Sequence, residues 1–318
     1  MTRTETTTAK TYRRHHYFLR TLVVAVAAAG LVVALLYARP AEANYPGKPG
    51  KIAYAGFDGN DLELYTIKPD GGGKLPITDN GKSNDNPAYS PNGKRIAYAA
   101  SDGNDSEIFT INAGGGGKLQ LTDNTTPDRY HYYSPSGKRI AYSGYDGNDS
   151  EIFTINVNGG DKRNVTDNDT GDYDPAYSPS GKRIAYEGYE GPATDGEIFT
   201  INVGGGDKRN VTDNSTGDYD PAYSPSGKRI AYEGYEGPGT DGEIYTVNVG
   251  GGGKLNVTDN TTDDNYPSYS PSGKRIAYYS DPGAGVDSEI FTIGVDGGGK
   301  RPVTDNATDD YDPYWGSQ

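Results

Sequence analysis

Cysteine is absent from this 318-residue chain, and several other chemically useful residues are scarce. Without cysteine the chain has no thiol nucleophile, no cysteine-ligated metal and no lipid-anchored cysteine. Methionine and tryptophan occur once each, and His131 is the one histidine beyond residue 43. A Ser-His-Asp triad would have to use His131, and no Gly-x-Ser-x-Gly sequence supplies a nucleophile. These absences leave little room for nucleophilic catalysis.

Glycine and tyrosine are abundant, with 46 and 28 residues, and they belong to a repeat. The sequence SPSGKRIAY begins at Ser134 and recurs at Ser178, Ser224 and Ser270, with a near copy at Ser90. Each copy predicts a turn that leads into a strand, because proline and glycine suit the turn and β-forming residues follow. Its isoleucine recurs at steps of 44 or 46 residues, at Ile52, Ile96, Ile140, Ile184, Ile230 and Ile276. A period in the mid-forties without helical patterning predicts the blades of an all-β propeller.

One repeat contains four predicted strands, joined by a Ser-Pro-Ser-Gly turn, an acidic glycine-rich loop and a run of glycines. In the third complete repeat they lie at about 175–178, 182–187, 197–203 and 208–211. No inner strand precedes Ile52, but the end of the chain, Asp312-Pro313-Tyr314-Trp315, matches Asp174-Pro175-Ala176-Tyr177 position for position. We therefore predict a six-bladed β-propeller of four-stranded antiparallel blades. The C-terminal strand closes the ring, which removes free sheet edges.

Four short motifs follow one another in each repeat. In one repeat they are Pro175-Ala176-Tyr177-Ser178-Pro179-Ser180-Gly181, Ile184-Ala185-Tyr186, Glu197-Ile198-Phe199 and Val211-Thr212. This order resembles the WD40-like PD40 repeat of the TolB-type propellers, over nearly all of residues 46–316. The resemblance implies the fold of that family, whereas a propeller can host many activities. Only about seven residues separate Ala43 from the first strand, so we expect a propeller without TolB's amino-terminal α/β domain.

Residues 1–43 have the character of an export signal. Basic residues, among them Arg13 and Arg14, precede an uncharged run from Thr21 to Ala38, and Ala41-Glu42-Ala43 offers a small-x-small cleavage pattern. We predict a signal peptide over 1–43 and a propeller over 44–318. The alternative is an uncleaved anchor at 21–38, whose helix of roughly 27 Å is slightly short for a bilayer core. Either arrangement places the repeats outside the cytoplasm, in the periplasm or the exterior.

The charges are unevenly distributed. The whole chain has a formal charge of −14, and the part after residue 43 carries −18, so we expect no nucleic-acid partner. Successive turns of a meander alternate between two faces. The Ser-Pro-x-Gly turns and glycine runs then share one face, the Lys-Arg face, and the acidic connections share the other, the acidic face. The sequence assigns 22 of 24 basic residues to the first and 38 of 42 acids to the second. The alternative is that the charges only maintain solubility.

Clustered acids in the connections resemble the oxygen ligands that calcium prefers, and the clearest segments are 167–174 and 58–61. Neither segment has the spacing of an EF-hand loop. We predict that no cofactor is required and that a calcium site could form at Asp167, Asp169, Asp172 and Asp174. The alternative is that these acids are solvated loop residues, with Thr-Asp-Asn supplying turn chemistry.

Further binding residues are expected on the acidic face: Asp123, Asp128, His131, Asp213, Asp218, Asp220, Glu190 and Glu236. His131 stands where most repeats have proline. The alternative to a binding role for His131 is irregular packing of that blade. The connections after Tyr186, Tyr232 and Tyr278 are two residues longer than their counterparts, so half of the acidic rim is taller and a ligand could lie against it.

We therefore predict a secreted, monomeric binding or scaffolding propeller without identified catalytic residues. Its acidic face would bind a protein, cationic or saccharide ligand. The alternative is a carboxylate-based glycosidase or lyase at the mouth of the channel. A close carboxylate pair at that mouth, beside aromatic residues, would favour the enzyme, and evenly distributed loop acids would favour binding.

Overall fold

The computed structural model describes residues 49–190, 195–236, 241–283 and 285–317. These residues form 24 strands in six four-stranded antiparallel sheets. Within them there is no helix that is long and apolar enough to cross a membrane. The predicted signal peptide or anchor, residues 1–43, lies outside the described residues.

Each blade runs from an inner strand to a two-residue outer strand. For blades 1 to 6 the inner strands are β24 (Asp310–Ser317), β4 (Asn84–Tyr89), β8 (Arg129–Tyr133), β12 (Tyr173–Tyr177), β16 (Asp218–Tyr223) and β20 (Asp263–Tyr269). The second strands are β1 (Pro49–Phe57), β5 (Arg95–Ser101), β9 (Arg139–Tyr145), β13 (Arg183–Gly188), β17 (Arg229–Gly234) and β21 (Arg275–Asp281).

The remaining two strands of each blade follow in chain order. The third strands are β2 (Leu62–Ile67), β6 (Ser106–Asn112), β10 (Ser150–Asn156), β14 (Glu197–Asn202), β18 (Glu243–Asn248) and β22 (Glu289–Gly294). The outer strands are β3 (Leu75–Pro76), β7 (Leu119–Gln120), β11 (Arg163–Asn164), β15 (Arg209–Asn210), β19 (Leu255–Asn256) and β23 (Arg301–Pro302). The outer strands are shorter than the sequence predicted.

The first blade is built from both ends of the chain. Its inner strand β24 pairs with β1, placing Trp315 opposite Ile52 and Tyr314 opposite Ala53. The same strand contacts the inner strands of blades 2 and 6. The predicted six-bladed ring and its closure by the C-terminal strand are therefore confirmed.

The blades bury both of their faces, because each blade is covered by two neighbours. In β9, for example, Ile140, Ala141 and Tyr142 are all fully buried. The second-strand tyrosine stacks on an aromatic residue of the third strand, as Tyr142 does on Phe153 with ring centroids 5.7 Å apart. Such a pair adds about 0.5–1.5 kcal/mol beyond its buried area.

Every inner strand has a bulge at its middle. One residue there has a φ between 50° and 58°, and the pairing register shifts beside it. The six residues are Asn86, Tyr130, Asp174, Asp220, Tyr266 and Asp312. Asparagine and aspartate tolerate this left-handed conformation better than most residues, which explains four of the six. The bulge re-aims these side chains away from the regular pleat.

Candidate functional site

The connections within a blade join its strands alternately at two ends, because neighbouring strands are antiparallel. In blade 2 the glycine run lies beside the Ser-Pro-Asn-Gly turn, where Ala113 N donates to Lys94 O at 2.9 Å. On the opposite side, Asp128 N donates to Ser106 O at 2.8 Å and joins the acidic connection to the start of a third strand. The acidic connection of blade 2 therefore lies at the end opposite its glycine run, on the face named the acidic face above.

Six of the twelve predicted site residues are not on the surface of that face. They are at most 1% exposed, and they are Asp128, His131, Asp172, Asp174, Asp218 and Asp220. The loop residues Asp123, Asp167, Asp169, Asp213 and Glu190 are exposed, and Glu236 is half-buried. The expectation that all twelve contact a ligand on the rim is wrong for the buried six, because they lie in junctions between blades or in the inner strands.

Asp172 shows what the buried aspartates do. Its Oδ2 accepts a hydrogen bond from Asn168 Nδ2 at 2.6 Å, and its backbone N donates to Ser150 O at 2.7 Å. Asn168 N donates in turn to Glu151 Oε1 at 2.6 Å, and the Thr166 hydroxyl donates to Glu151 Oε2. This arrangement connects the third and outer strands of one blade to the inner strand of the next.

The same Asn–Asp bond recurs at four other junctions between blades. The amide nitrogens of Asn124, Asn214, Asn260 and Asn306 donate to Asp128, Asp218, Asp264 and Asp310 at 2.5–2.7 Å. We call these carboxyl groups the junction aspartates. Their even distribution around the ring indicates a structural role.

Burial raises the pKa of the junction aspartates. It raises that of Asp172 to about 8, those of Asp128 and Asp218 to about 7, and that of Asp310 to about 6. The pKa of Asp264 is raised for the same reason. At pKa values of about 7 to 8, Asp128, Asp172 and Asp218 retain a proton for much of the time near neutral pH, so their carboxyl groups can donate a hydrogen bond as well as accept one.

His131 is a packing residue of β8. It is fully buried, and it occupies the position that proline takes in the other inner strands. Burial lowers its pKa to about 4, so the imidazole is neutral at physiological pH. The prediction that His131 belongs to the acidic surface is therefore wrong, and its alternative, irregular packing, describes the structure.

The four residues proposed to bind calcium do not converge. No three of Asp167, Asp169, Asp172 and Asp174 have ligand atoms within 4.8 Å of one another. Asp167 and Asp169 are exposed in the loop, whereas Asp172 is held at the junction and Asp174 at the bulge of β12. Among the described residues two other groups of three do meet that distance, Asp102 with Asp105 and Glu107, and Asp146 with Asp149 and Glu151.

Six lysines that follow the glycine runs do not extend over the Lys-Arg face as the sequence suggested. Their ammonium groups lie over third-strand rings, for example Lys162 Nζ at 4.0 Å from the centroid of Phe153. The equivalent residues are Lys74, Lys118, Lys208, Lys254 and Lys300. Two of these lysines bind predicted site residues, since Lys208 Nζ is 3.3 Å from Glu190 Oε1 and Lys254 pairs with Glu236.

Edge-to-face tyrosine pairs occur in the blades whose second and third strands are joined by the longer connections, blades 4 to 6. Tyr173 meets Tyr189 edge to face with centroids 6.4 Å apart, and Tyr219 meets Tyr235 at 5.9 Å. A third edge-to-face pair joins blades 6 and 1, with the rings of Tyr279 and Tyr311 5.3 Å apart. We call these six residues, with Glu187, Glu190, Glu233 and Glu236, the Tyr-Glu half.

Sequence reasoning identified the longer connections but missed the tyrosines. The positions of Tyr173 and Tyr219 in the repeat are occupied in blades 2 and 3 by Asp85 and Arg129. Alignment of the repeats would have shown this asymmetry. Five of the six tyrosines are half-buried, so each ring presents part of its surface to solvent.

Aromatic rings also occupy the axis of the ring. Tyr132 of blade 3 and Tyr314 of blade 1 have centroids 6.3 Å apart, although their blades are separated by blade 2. Two shallow clefts of about 210 and 320 Å³ open elsewhere, on the Lys-Arg face between adjacent blades. Their linings include Arg95 and Tyr133 in the first and Lys51 and Tyr89 in the second.

The fold and its repeated turns define a TolB-type propeller, and the family comparison agrees. The family model of the TolB beta propeller domain, PD40, matches residues 44–194 and 173–318. The chain therefore belongs to the TolB β-propeller family. No curated protein matches the chain.

Three solved structures illustrate the likeness in fold. TolB from Acinetobacter baumannii is 20% identical, with 85% of this chain and 67% of that one covered and a TM-score of 0.73. The putative TolB from Agrobacterium tumefaciens is also 20% identical, with 82% and 91% covered and a TM-score of 0.68. Oligogalacturonate lyase from Vibrio parahaemolyticus is 13% identical, with 81% and 73% covered and a TM-score of 0.53.

Proposed function

We propose that the protein is an extracytoplasmic binding module whose Tyr-Glu half binds a lysine- or arginine-containing segment of a partner protein. The observation that carries this proposal is the set of edge-to-face tyrosine pairs, two of which include Tyr173 and Tyr219, the pairing partners of Glu187 and Glu233. Aromatic faces attract cations, and neighbouring carboxylates add charge-assisted hydrogen bonds.

The chain itself supplies an example of this recognition. Lys208 Nζ lies 4.1 Å from the centroid of Phe199 and 3.3 Å from Glu190 Oε1. Lys254 repeats the arrangement in the next blade, with Nζ 5.5 Å from the centroid of Tyr245 and an ion pair to Glu236. These pairs make Glu190 and Glu236 part of an intramolecular lysine site, so a partner cation would bind nearer the axis, at the tyrosine pairs.

The overall charge supports a cationic partner. Residues 44–318 carry a formal charge of −18, and an acidic surface accelerates the approach of a basic one. Exposed charges are screened beyond about 8 Å at physiological ionic strength, so this binding should weaken as salt rises. Membership of the TolB family and the composition of residues 1–43 support a location outside the cytoplasm.

The glycosidase or lyase alternative lacks a comparable observation. Asp172 and Glu151, which both accept hydrogen bonds from Asn168, are buried at a junction rather than placed at the channel mouth. The structural neighbour that is a lyase is named for oligogalacturonate, a polyanion, which an acidic face would repel. We therefore do not advance this alternative.

A labelled basic peptide tests the proposal, because the expected ligand is a cationic segment. We expect fluorescence anisotropy to show binding of a lysine-rich dodecamer and none of its glutamate-rich counterpart. Replacing Tyr189 and Tyr235 together by Ala should weaken binding by about 1–2 kcal/mol, or roughly 5- to 30-fold in Kd.

Tyr145 provides the matched control, because it stands at the equivalent position of blade 3, outside the Tyr-Glu half, and is 43% exposed. Tyr145→Ala should leave the affinity for the peptide unchanged. Equal losses in the control and in the double variant would refute the proposed location, and equal binding of the two peptides would refute the proposed chemistry.

A further inference from the structure

Blades 2 and 3 each carry the sequence Asp-Gly-Asn-Asp-Ser-Glu between their second and third strands. In blade 3 the loop closes on Asp146, whose Oδ1 accepts from Asn148 N at 2.8 Å and from Asp149 N at 3.2 Å. The loop of blade 2 has the same bond from Asn104 N to Asp102 Oδ1, also at 2.8 Å. The turn thus brings the second aspartate of the loop close to the carboxylate of the first.

The carboxylates of each loop converge on the first residues of the third strand. One oxygen from each of Asp146, Asp149 and Glu151 lies within 4.8 Å of the other two, and Asp102, Asp105 and Glu107 repeat this arrangement. Calcium takes six to eight oxygen ligands at about 2.3–2.6 Å. Two ligands on opposite sides of such an ion are separated by about twice that distance, so the observed spacing accommodates one cation.

The second aspartate of each loop lacks hydrogen-bond donors. Both carboxylate oxygens of Asp105 and of Asp149 are covered from solvent, and within the described residues no donor bonds to them. Glu107 is fully buried, and its Oε2 is likewise without a donor in the described chain. A covered carboxylate oxygen without a donor is costly, so these atoms point to a positively charged ligand.

Electrostatic effects in the two loops are consistent with that reading. Burial raises the pKa of Asp149, and the neighbouring Asp146 and Asp169 raise it further. Burial and Asp102 likewise raise the pKa of Asp105, while Arg129 acts in the opposite direction. Tyr173 of blade 4 is near the blade 3 loop at the repeat position that Arg129 of blade 3 takes near the blade 2 loop, so the blade 3 loop is the more negative of the two.

We propose that Asp146, Asp149 and Glu151 in blade 3, and Asp102, Asp105 and Glu107 in blade 2, each bind a calcium ion. Exposed backbone carbonyls and water would complete the coordination. The ion relieves the repulsion among the three carboxylates and fixes the loop against the third strand. These sites take a small ion rather than a partner segment, so the proposed function does not depend on them.

Blade 1 supplies the matched control. Its loop Asp58-Gly59-Asn60-Asp61 has the same turn, with Asn60 N donating to Asp58 Oδ1 at 2.8 Å, and Glu63 follows. Its three carboxylates do not reach the 4.8 Å spacing. The structure therefore distinguishes two competent loops from a third of nearly identical sequence.

The test is calcium titration of the full-length chain after treatment with EDTA. Calorimetry with CaCl₂ should show two sites, and MgCl₂ should bind more weakly because magnesium demands near-octahedral geometry. Asp149→Asn should remove the blade 3 site, and Asp105→Asn should remove the blade 2 site. Each variant should lower the affinity of its site for calcium by at least roughly tenfold, because even the loss of an outer-shell partner has an effect of that size. Asp61→Asn should leave both sites intact.

A terbium measurement locates the ion independently. Tyr145 lies beside the blade 3 loop, where its hydroxyl donates to Asn148 O at 3.1 Å, so it should sensitise Tb³⁺ emission. Asp149→Asn should abolish that emission while its melting temperature in EDTA is unchanged or higher, because repulsion is removed. Absence of any heat or melting shift in millimolar CaCl₂ would overturn the proposal, as would equal losses in Asp61→Asn and Asp149→Asn.

Discussion

The junction between blades 1 and 2 differs from the other five in one buried residue. Asn84 is fully buried there, where the other junctions carry an aspartate. Its Nδ2 donates to Glu63 Oε2 at 2.9 Å, and its Oδ1 accepts from Asn80 Nδ2 at 3.2 Å. The amide thus accepts from the asparagine and donates to the glutamate of the preceding blade.

This comparison indicates how the junction aspartates function. Asp172 also accepts from its asparagine, and a glutamate, Glu151, lies close enough to raise its pKa. A protonated carboxyl group can donate where Asn84 donates, whereas an ionised one can only accept. The pKa values of all five junction aspartates are raised, so each holds a proton more readily than an exposed carboxyl group and can take on the donor capacity that the amide always has.

Removing most of the inner strand of blade 1 should have the largest effect. Deletion of residues 311–318 removes most of β24, including Trp315, which is 3% exposed and opposite Ile52. Loss of a buried aromatic and of one edge of blade 1 should lower the free energy of unfolding by several kcal/mol. Thermal and urea unfolding measure it, with deletion of Gln318 alone as the control. An unchanged melting temperature would contradict closure by this strand.

The second prediction concerns the five junction aspartates together. Their folded pKa values are raised, in four cases to about 6–8, above the roughly 3.9 of an unfolded aspartate. Their contribution is fully present below pH 4 and is lost as pH rises through the folded values, because the unfolded state then releases protons more readily. The free energy of unfolding should therefore fall between about pH 4 and pH 8.

Surface repulsion could produce the same trend, so the measurement needs a control for salt. Urea unfolding at pH 5 and pH 8 should be repeated in 1 M NaCl, where the screening length falls to about 3 Å and exposed charges contribute little. The decline should persist, because the aspartates are buried. Greater stability at pH 8 than at pH 5 would contradict the proposed protonation.

The repeat period and the turn chemistry were sufficient to predict six blades and closure by β24. The repeat pattern did not indicate which of its acidic residues are buried. Asp172 and Asp169 stand three residues apart in one acidic segment, yet Asp172 is fully buried at a junction and Asp169 is exposed. That difference depends on how one blade docks on the next, which local patterns do not encode.

Side-chain reach explains the other errors. Lys208 follows a glycine run, so its backbone position suggested the Lys-Arg face, but its long side chain extends over Phe199 to Glu190. The loops with Asp61 and Asp105 differ little in sequence, yet only the second brings its three carboxylates together. Such differences arise from packing beneath the loop.

The smallest effects should come from exchanging the two junction types. Asn84→Asp places a carboxyl group where an amide donates to Glu63, so it should lower the free energy of unfolding at pH 8 by about 1–3 kcal/mol, the cost of an unsatisfied buried group. Asp172→Asn should have the opposite sign and raise stability at pH 8, since an amide needs no proton to donate.

The pH dependence separates these exchanges from simple changes in packing. Asn84→Asp should be nearly neutral at pH 4, where the new carboxyl group is protonated and can donate, and destabilising at pH 8. Asp172→Asn should flatten the decline between pH 4 and pH 8, because it removes the junction aspartate with the highest pKa, about 8. Asp169→Asn is the control, since that side chain is exposed and three residues away. If Asp172→Asn destabilised the protein equally at both pH values, the aspartate would be required for its shape rather than for its proton.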